Sequence, residues 1–158
     1  MKVMVISDSH GAFGAIDTLL EQNPGIVNVI FLGDGLAEME DIRNIHPERN
    51  FYCVAGNCDF GAPEPAERVV ELGGHRIFMT HGHCYGVKSG DLNMLRRAAK
   101  KQDCDIALYG HTHEARTDYM RGIYVCNPGS LRFSSGGKSW LELNLDGPNI
   151  VPVIVPLE

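Results

Sequence analysis

Two histidines, His111 and His113, stand one residue apart in "LYGHTHEA" directly after an apolar run. In extended chain, side chains two positions apart point the same way, so both rings can face one small volume. The pattern recurs along the chain. "VMVIS" is followed by Asp8 and His10, "VIFLG" by Asp34, "FYCVAG" by Asn57 and "RIFMT" by His81. Five apolar runs therefore each end in a side chain able to bind metal. Two carboxylates, one amide oxygen and four imidazoles exceed what one ordinary site uses. With no thiolate among them they favour Mn²⁺, Fe²⁺ or Zn²⁺ over Mg²⁺ or Ca²⁺ alone, which prefer all-oxygen shells. Two ions sharing a bridging carboxylate would occupy all seven groups. Such pairs sit ~3.5–4 Å apart and clamp the attacking and leaving oxygens of a phosphoryl group.

The elements that would bring these residues together can be read from periodicity. "KVMVIS" is a buried strand, and "GAIDTLLEQN" spaces Ile16, Leu19 and Leu20 on one helix face before Asn23-Pro24-Gly25 stops it. "IVNVIFLG", "LAEMEDIRNI" and "NFYCVAG" continue as strand, helix and strand, a β-α-β-α-β order that implies parallel strands joined by helical crossovers. "ERVVELGGHRIFMTHG" reads as two strands around Gly73-Gly74, and "GDLNMLRRAAKKQD" as a helix with Leu92, Leu95 and Ala99 inside. "CDIALYG" is another buried strand, and the remainder is strand and turn, with hairpins at Arg121-Gly122 and Asp146-Gly147. The expectation is a mixed α/β fold of two packed sheets flanked by helices. In such sheets ligands bind beyond the carboxyl ends of the strands, where all seven candidates lie. Gly33, Gly56 and Gly110 precede Asp34, Asn57 and His111, as a crowded site with close backbone approach requires.

Composition narrows the function classes. The chain has 158 residues, 44% hydrophobic and 22% charged, which suits a single domain over 1–158. A formal charge of −6 with scattered acids argues against binding extended nucleic acid. The N-terminal apolar run is broken by Asp8 and reads as a first strand rather than a signal peptide. No window approaches the ~20 apolar residues of a membrane span, so no membrane partner and a cytoplasmic location are expected. Five cysteines with no CxxC pair suggest reduced thiols.

"DSH", "GD", "GNCD", "THGH" and "GHTH" resemble, in order and spacing, the five blocks of the calcineurin-like metallophosphoesterases, with the "GNCD" and "NPGS" runs most similar to the small YfcE-type phosphodiesterase branch. The resemblance implies a four-layer αββα sandwich with two mixed β-sheets flanked by helices. It implies that Asp8, His10 and His113 hold a first ion, that Asn57, His81 and His111 hold a second, and that Asp34 bridges them. Mn²⁺ is the expected metal, with Fe, Zn or Ni as alternatives, and a hydroxide bridging the ions would attack a small phosphodiester. Asp34, Asn57 and His81 are then the candidate catalytic residues. Many members carry histidine after the asparagine to protonate the leaving oxygen, whereas this chain has Cys58. A thiol of ordinary pKa ~8.5 is a poor substitute. The expectation is a preference for esters with good leaving groups, or another acid such as Asp59 or a water. Phosphomonoesters, nucleic acid and a retromer-subunit-like scaffold role are the competing readings.

Other residues carry weaker expectations. His46 and His75 are expected at the surface, His83 near the site, Cys84 and Cys126 as packing residues, and "LRRAAKK" as a solvated helix face. Arg132, after the "NPGS" turn, could reach a substrate phosphate. Pro152 and Pro156 in "IVPVIVP" suit a sheet edge, which a second copy of the chain could cover as a homo-oligomer.

Overall fold

A computed structural model describes residues 1–132 and 134–157. Strand β1 (Lys2–Ile6), helix α1 (Phe13–Gln22), β2 (Asn28–Phe31), α2 (Leu36–Ile45) and β3 (Asn50–Cys53) form the expected alternating start. They are followed by β4 (Glu67–Leu72), β5 (His75–Thr80), α3 (Asn93–Lys101), β6 (Ile106–Leu108), β7 (Arg116–Met120), β8 (Ile123–Asn127), β9 (Ser139–Asp146) and β10 (Asn149–Pro156). The strands make two mixed five-stranded sheets, ordered β10-β9-β1-β2-β3 and β4-β5-β6-β8-β7. β1, β2 and β3 run parallel in the first sheet, and β5, β6 and β8 in the second.

Alternation along the strands builds the layers, because successive side chains point to opposite faces. Val3 and Val5 of β1 join Ile77, Met79, Ile106 and Leu108 in a core between the sheets, while Met4 and Ile6 pack with Ile16, Leu20, Met39 and Ile42 of α1 and α2. On the far face of the second sheet, Leu95 and Ala99 of α3 pack with Phe78 and Ala107. The result is the expected helix, sheet, sheet, helix sandwich. β10 lies at a sheet edge, where Pro152 and Pro156 fall. Its Val151 and Val153 are exposed.

Three surface expectations and one packing expectation are corrected. His46 and His75 are buried, the first by its contacts with Asp17 and Glu48, the second as the opening residue of β5 between Asp105 and Gly147. Arg96 of α3 is buried within the "LRRAAKK" helix. Cys84 is exposed, whereas Cys126 is buried as expected.

Candidate metal centre

The parallel strands deliver their carboxyl ends to one edge, and backbone hydrogen bonds lock the exits together. Asp8 N–H donates to the Gly33 carbonyl at 3.0 Å and His10 N–H to that of Asp34 at 3.0 Å, joining the exits of β1 and β2. Gly110 N–H donates to the His81 carbonyl at 2.9 Å, joining those of β5 and β6. The two sheets are tied across the site by His111 N–H, which donates to Asp8 Oδ2 at 3.0 Å. Space is tight enough that a Cβ at Gly56 would stand 2.1 Å from Asp34 Oδ1, and one at Gly110 2.1 Å from Ser7 Oγ. Both positions require glycine, as the sequence suggests.

Strain marks the same edge. Asp8, His10, Asp34, His111 and His113 all have positive φ, between 41° and 70°. For residues bearing a Cβ this conformation costs roughly 1–3 kcal/mol each and persists only where surrounding contacts impose it.

The side chains form two facing groups. In the first, ligand atoms of Asp8, His10 and His113 lie within 4.8 Å of one another, and in the second those of Asp34, His81 and His111 do. His10 Nε2 and His113 Nε2 are 3.3 Å apart, and His111 Nδ1 and His81 Nε2 3.2 Å. Two imidazole nitrogens meeting head to head have one proton between them at most, and a shared cation satisfies both lone pairs. Asp34 Oδ2 lies 3.2 Å from His81 Nε2 and 3.8 Å from His10 Nε2, so this carboxylate faces both groups. Asn57 is exposed on the loop after β3, with its Nδ2 3.6 Å from Cys58 Sγ.

Each carboxylate has one oxygen held by the protein and one left for the centre. Asp8 Oδ2 accepts from the Ser7 hydroxyl at 2.6 Å and from His111 N–H, while Asp34 Oδ1 accepts from Cys58 N–H at 2.8 Å. Asp8 Oδ1 is buried and has no hydrogen-bond partner. It faces His113 Nε2 at 3.3 Å, His10 Nε2 at 3.6 Å and His81 Nε2 at 3.8 Å. An unpartnered buried carboxylate oxygen is costly, and a divalent cation among these donors removes the cost. The residues therefore fit a metal centre.

The electrostatics agree. Burial opposes ionisation of Asp34, but hydrogen bonds from His81 and the Cys58 N–H, with the charges of His81 and His10, hold its carboxyl well below the usual carboxylate range. Burial likewise opposes protonation of His81, yet Asp34, Asp8 and the Leu32 carbonyl raise its pKa. His81 Nδ1 bonds that carbonyl at 2.7 Å, which fixes the tautomer and aims Nε2 inward. His111 moves the other way, lowered by burial and by the charge of His81.

Several supporting residues escape sequence reasoning. Ser7 orients Asp8, and Glu38 of α2 accepts from Ser9 Oγ at 2.7 Å and Gly11 N–H at 2.9 Å, fixing the loop that carries His10. The "NPGS" turn does lie beside the site. Asn127 Nδ2 donates to the Gly110 carbonyl and Ser130 Oγ to the Asp8 carbonyl, so the end of β8 braces both histidine-bearing loops. Arg132 donates to the His10 carbonyl, which places it at the site as a backbone brace. His83 is exposed, its ring 5.5 Å from that of His81.

Asp59 is engaged by the backbone. Its Oδ2 accepts from Asp34 N–H at 2.7 Å and Gly56 N–H at 2.8 Å, and its Oδ1 from Gly35 N–H at 3.0 Å and Leu36 N–H at 3.1 Å. Both oxygens are spent holding the β2 and β3 exits at the start of α2. Cys58 is exposed at the mouth, with its thiol pKa raised by burial and by Asp34. It also falls within 4.8 Å of ligand atoms of His10 and Asp34.

A four-layer sandwich with carboxylate and imidazole donors at its strand ends matches the layout expected of the calcineurin-like metallophosphoesterases. The chain belongs to the calcineurin-like phosphoesterase superfamily, whose domain model matches residues 1–145. It is 35% identical to the probable metallophosphoesterase YsnB of Bacillus subtilis over 134 residues, covering 84% of this chain and 76% of that one. It is 31% identical to the phosphodiesterase YfcE of Escherichia coli K12 over 163 residues, covering 87% and 83%. Among solved structures, a predicted phosphoesterase from Streptococcus pneumoniae superposes with a TM-score of 0.82 at 26% identity, covering 98% of this chain and 88% of that one.

Proposed function

We propose that the protein is a dinuclear metal-dependent phosphodiesterase acting on small phosphodiesters. The observation that carries this reading is the unpartnered, buried Asp8 Oδ1 facing imidazole nitrogens, beside an Asp34 carboxylate that faces both donor groups. Asp8, His10 and His113 would hold one ion, Asn57, His81 and His111 the other, and Asp34 would bridge. Mn²⁺ is the proposed metal, with Fe, Zn or Ni able to use the same donors. Two ions there would supply an activated water and neutralise charge on the phosphoryl oxygens.

The chain's own residues do the positioning. Ser7 and His111 N–H orient Asp8, Cys58 N–H orients Asp34 and helps to keep it ionised, and the Leu32 carbonyl orients His81. With Asp59 committed to the backbone and histidine absent at position 58, neither position supplies a strong proton donor at the mouth. Good leaving groups are therefore favoured. The similarity to YfcE supports the diester preference. No helix of the described residues is long and apolar enough to cross a membrane.

The test is hydrolysis of bis(p-nitrophenyl) phosphate beside p-nitrophenyl phosphate, on protein stripped with chelator and reloaded with Mn²⁺. Metal-dependent diester turnover well above the monoester is expected. Absence of turnover with every divalent metal would sink the enzymatic reading and point to a scaffold built on the same fold.

A further inference from the structure

A cleft of about 560 Å³ opens beside the metal centre. Its link to the centre is Cys58, which lines the cleft and also lies among the ligand atoms of His10 and Asp34. Leu36, Ala37, Ala62 and Pro63 contribute apolar wall, and Phe60 stands at the cleft as a residue 92% exposed. The volume falls within the ~300–1,000 Å³ of small-molecule sites.

Phe60 is exposed on a backbone that cannot readily fold it inward. The four hydrogen bonds of Asp59 anchor the preceding residue, Asp59 N–H donates to the Gly56 carbonyl, and Ala62 N–H donates to that of Asp59. Ala55 N–H closes the base of the loop on the Pro65 carbonyl at 2.9 Å. These bonds fix the backbone that carries Phe60, whose side chain stands out beside the mouth.

The charges of the cleft select among occupants. Glu40 and Glu64 line it, and the one cation among its lining residues, Arg43, is engaged by Glu64 at 3.2 Å. An additional phosphate or carboxylate would be repelled, whereas a flat uncharged ring would gain stacking and apolar contact. We propose that this cleft receives an uncharged aromatic substituent of the phosphodiester, seated on Phe60, while the phosphoryl group lies at the metal centre. The inference rests on the phosphodiester reading above and adds the class of substituent, of which a nucleobase is one example.

Binding separates this inference from that reading. Calorimetry on the Mn²⁺-loaded chain would compare diphenyl phosphate with dimethyl phosphate for the wild type, Phe60→Ala and Phe60→Trp, with the metal-stripped chain as reference. The wild type should prefer the diphenyl ester. Phe60→Ala should reduce that preference about tenfold, the scale of stacking on an aromatic side chain, and Phe60→Trp should keep it. A wild type indifferent to the two esters, or a preference that survives Phe60→Ala, would overturn the proposal. So would binding of both esters that ignores metal, since the substituent must extend from a phosphoryl group held at the centre. If the preference follows Phe60 and metal but no diester is hydrolysed, the cleft stands and the catalytic reading falls.

Discussion

Histidine meets aspartate at two kinds of place in this molecule, and they differ in what is left unpaired. At the base of β5, His75 Nδ1 lies 2.5 Å from Asp105 Oδ2 and its Nε2 lies 2.7 Å from the Gly147 carbonyl. Both partners are acceptors, so a doubly protonated ring satisfies every contact. At the strand ends, imidazole nitrogens face each other at 3.2 and 3.3 Å, and Asp8 Oδ1 is buried without a donor. The first arrangement is complete and has nothing to bind. The second leaves donors that suit a cation, and residues with positive φ lie at the same edge.

Replacing Asp34 by Ala tests this contrast most severely, because it removes the carboxylate proposed to bridge the two halves of the centre. Metal-dependent diester turnover should fall by at least about 10³-fold, the scale of the several kcal/mol that metal ions supply, with the circular dichroism unchanged. Retained turnover would show that the unpaired groups are not the working ones. Cys58→His should act in the opposite direction. An imidazole at the mouth should raise turnover of an ester with a poor alkoxide leaving group by about 10²-fold, the low end for a positioned general acid, and alter p-nitrophenyl esters little. Equal rates for both chains would remove Cys58 from the account of leaving-group preference.

The two kinds of site were not equally legible in the sequence. Asp8, His10, Asp34, His81, His111 and His113, which the structure gathers into two groups, could be read because each follows a buried strand, and parallel strands must end at a common edge. α2 likewise runs over Leu36–Ile45, as its apolar spacing predicts. His46 and His75 were misplaced at the surface because the groups that bury them are remote in the chain: Asp17 and Asp105 lie 29 and 30 residues away. Asp59 was misassigned for a related reason. A carboxylate next to a candidate ligand looks available until four backbone N–H groups from two loops are seen converging on it. Periodicity reports which face a residue takes, but not which distant partner meets it there.

A smaller effect isolates the oxygen that completes neither kind of site alone. Ser7→Ala removes the hydroxyl that holds Asp8 Oδ2 at 2.6 Å and leaves every proposed ligand in place. Metal affinity, measured by competition with a chelating dye, should weaken about 10–100-fold, as for groups that orient ligands. Unchanged affinity would mean that His111 N–H suffices to fix the carboxylate.

His75→Gln should produce the smallest change, confined to stability and without effect on metal affinity. The hydrogen bond to Asp105 raises the pKa of His75 above its ordinary 6.5, against the opposing effect of burial, with the Gly147 carbonyl and the charge of Asp105 adding to the rise. A group whose folded-state pKa is raised stabilises fully below its unfolded pKa and loses that contribution as pH climbs through the folded value. The wild type should therefore lose stability relative to His75→Gln as pH rises from 6.5 through that raised value. Below 6.5 the wild type should be the more stable by about 1.5–3 kcal/mol, the range for a hydrogen bond to a charged group. Thermal melts of both chains across that range, taken on metal-stripped protein to silence the other histidines' ligand, would show it. Parallel melting curves would mean that His75 is neutral in its pocket, and that a paired imidazole and an open one differ less in protonation than their partners imply.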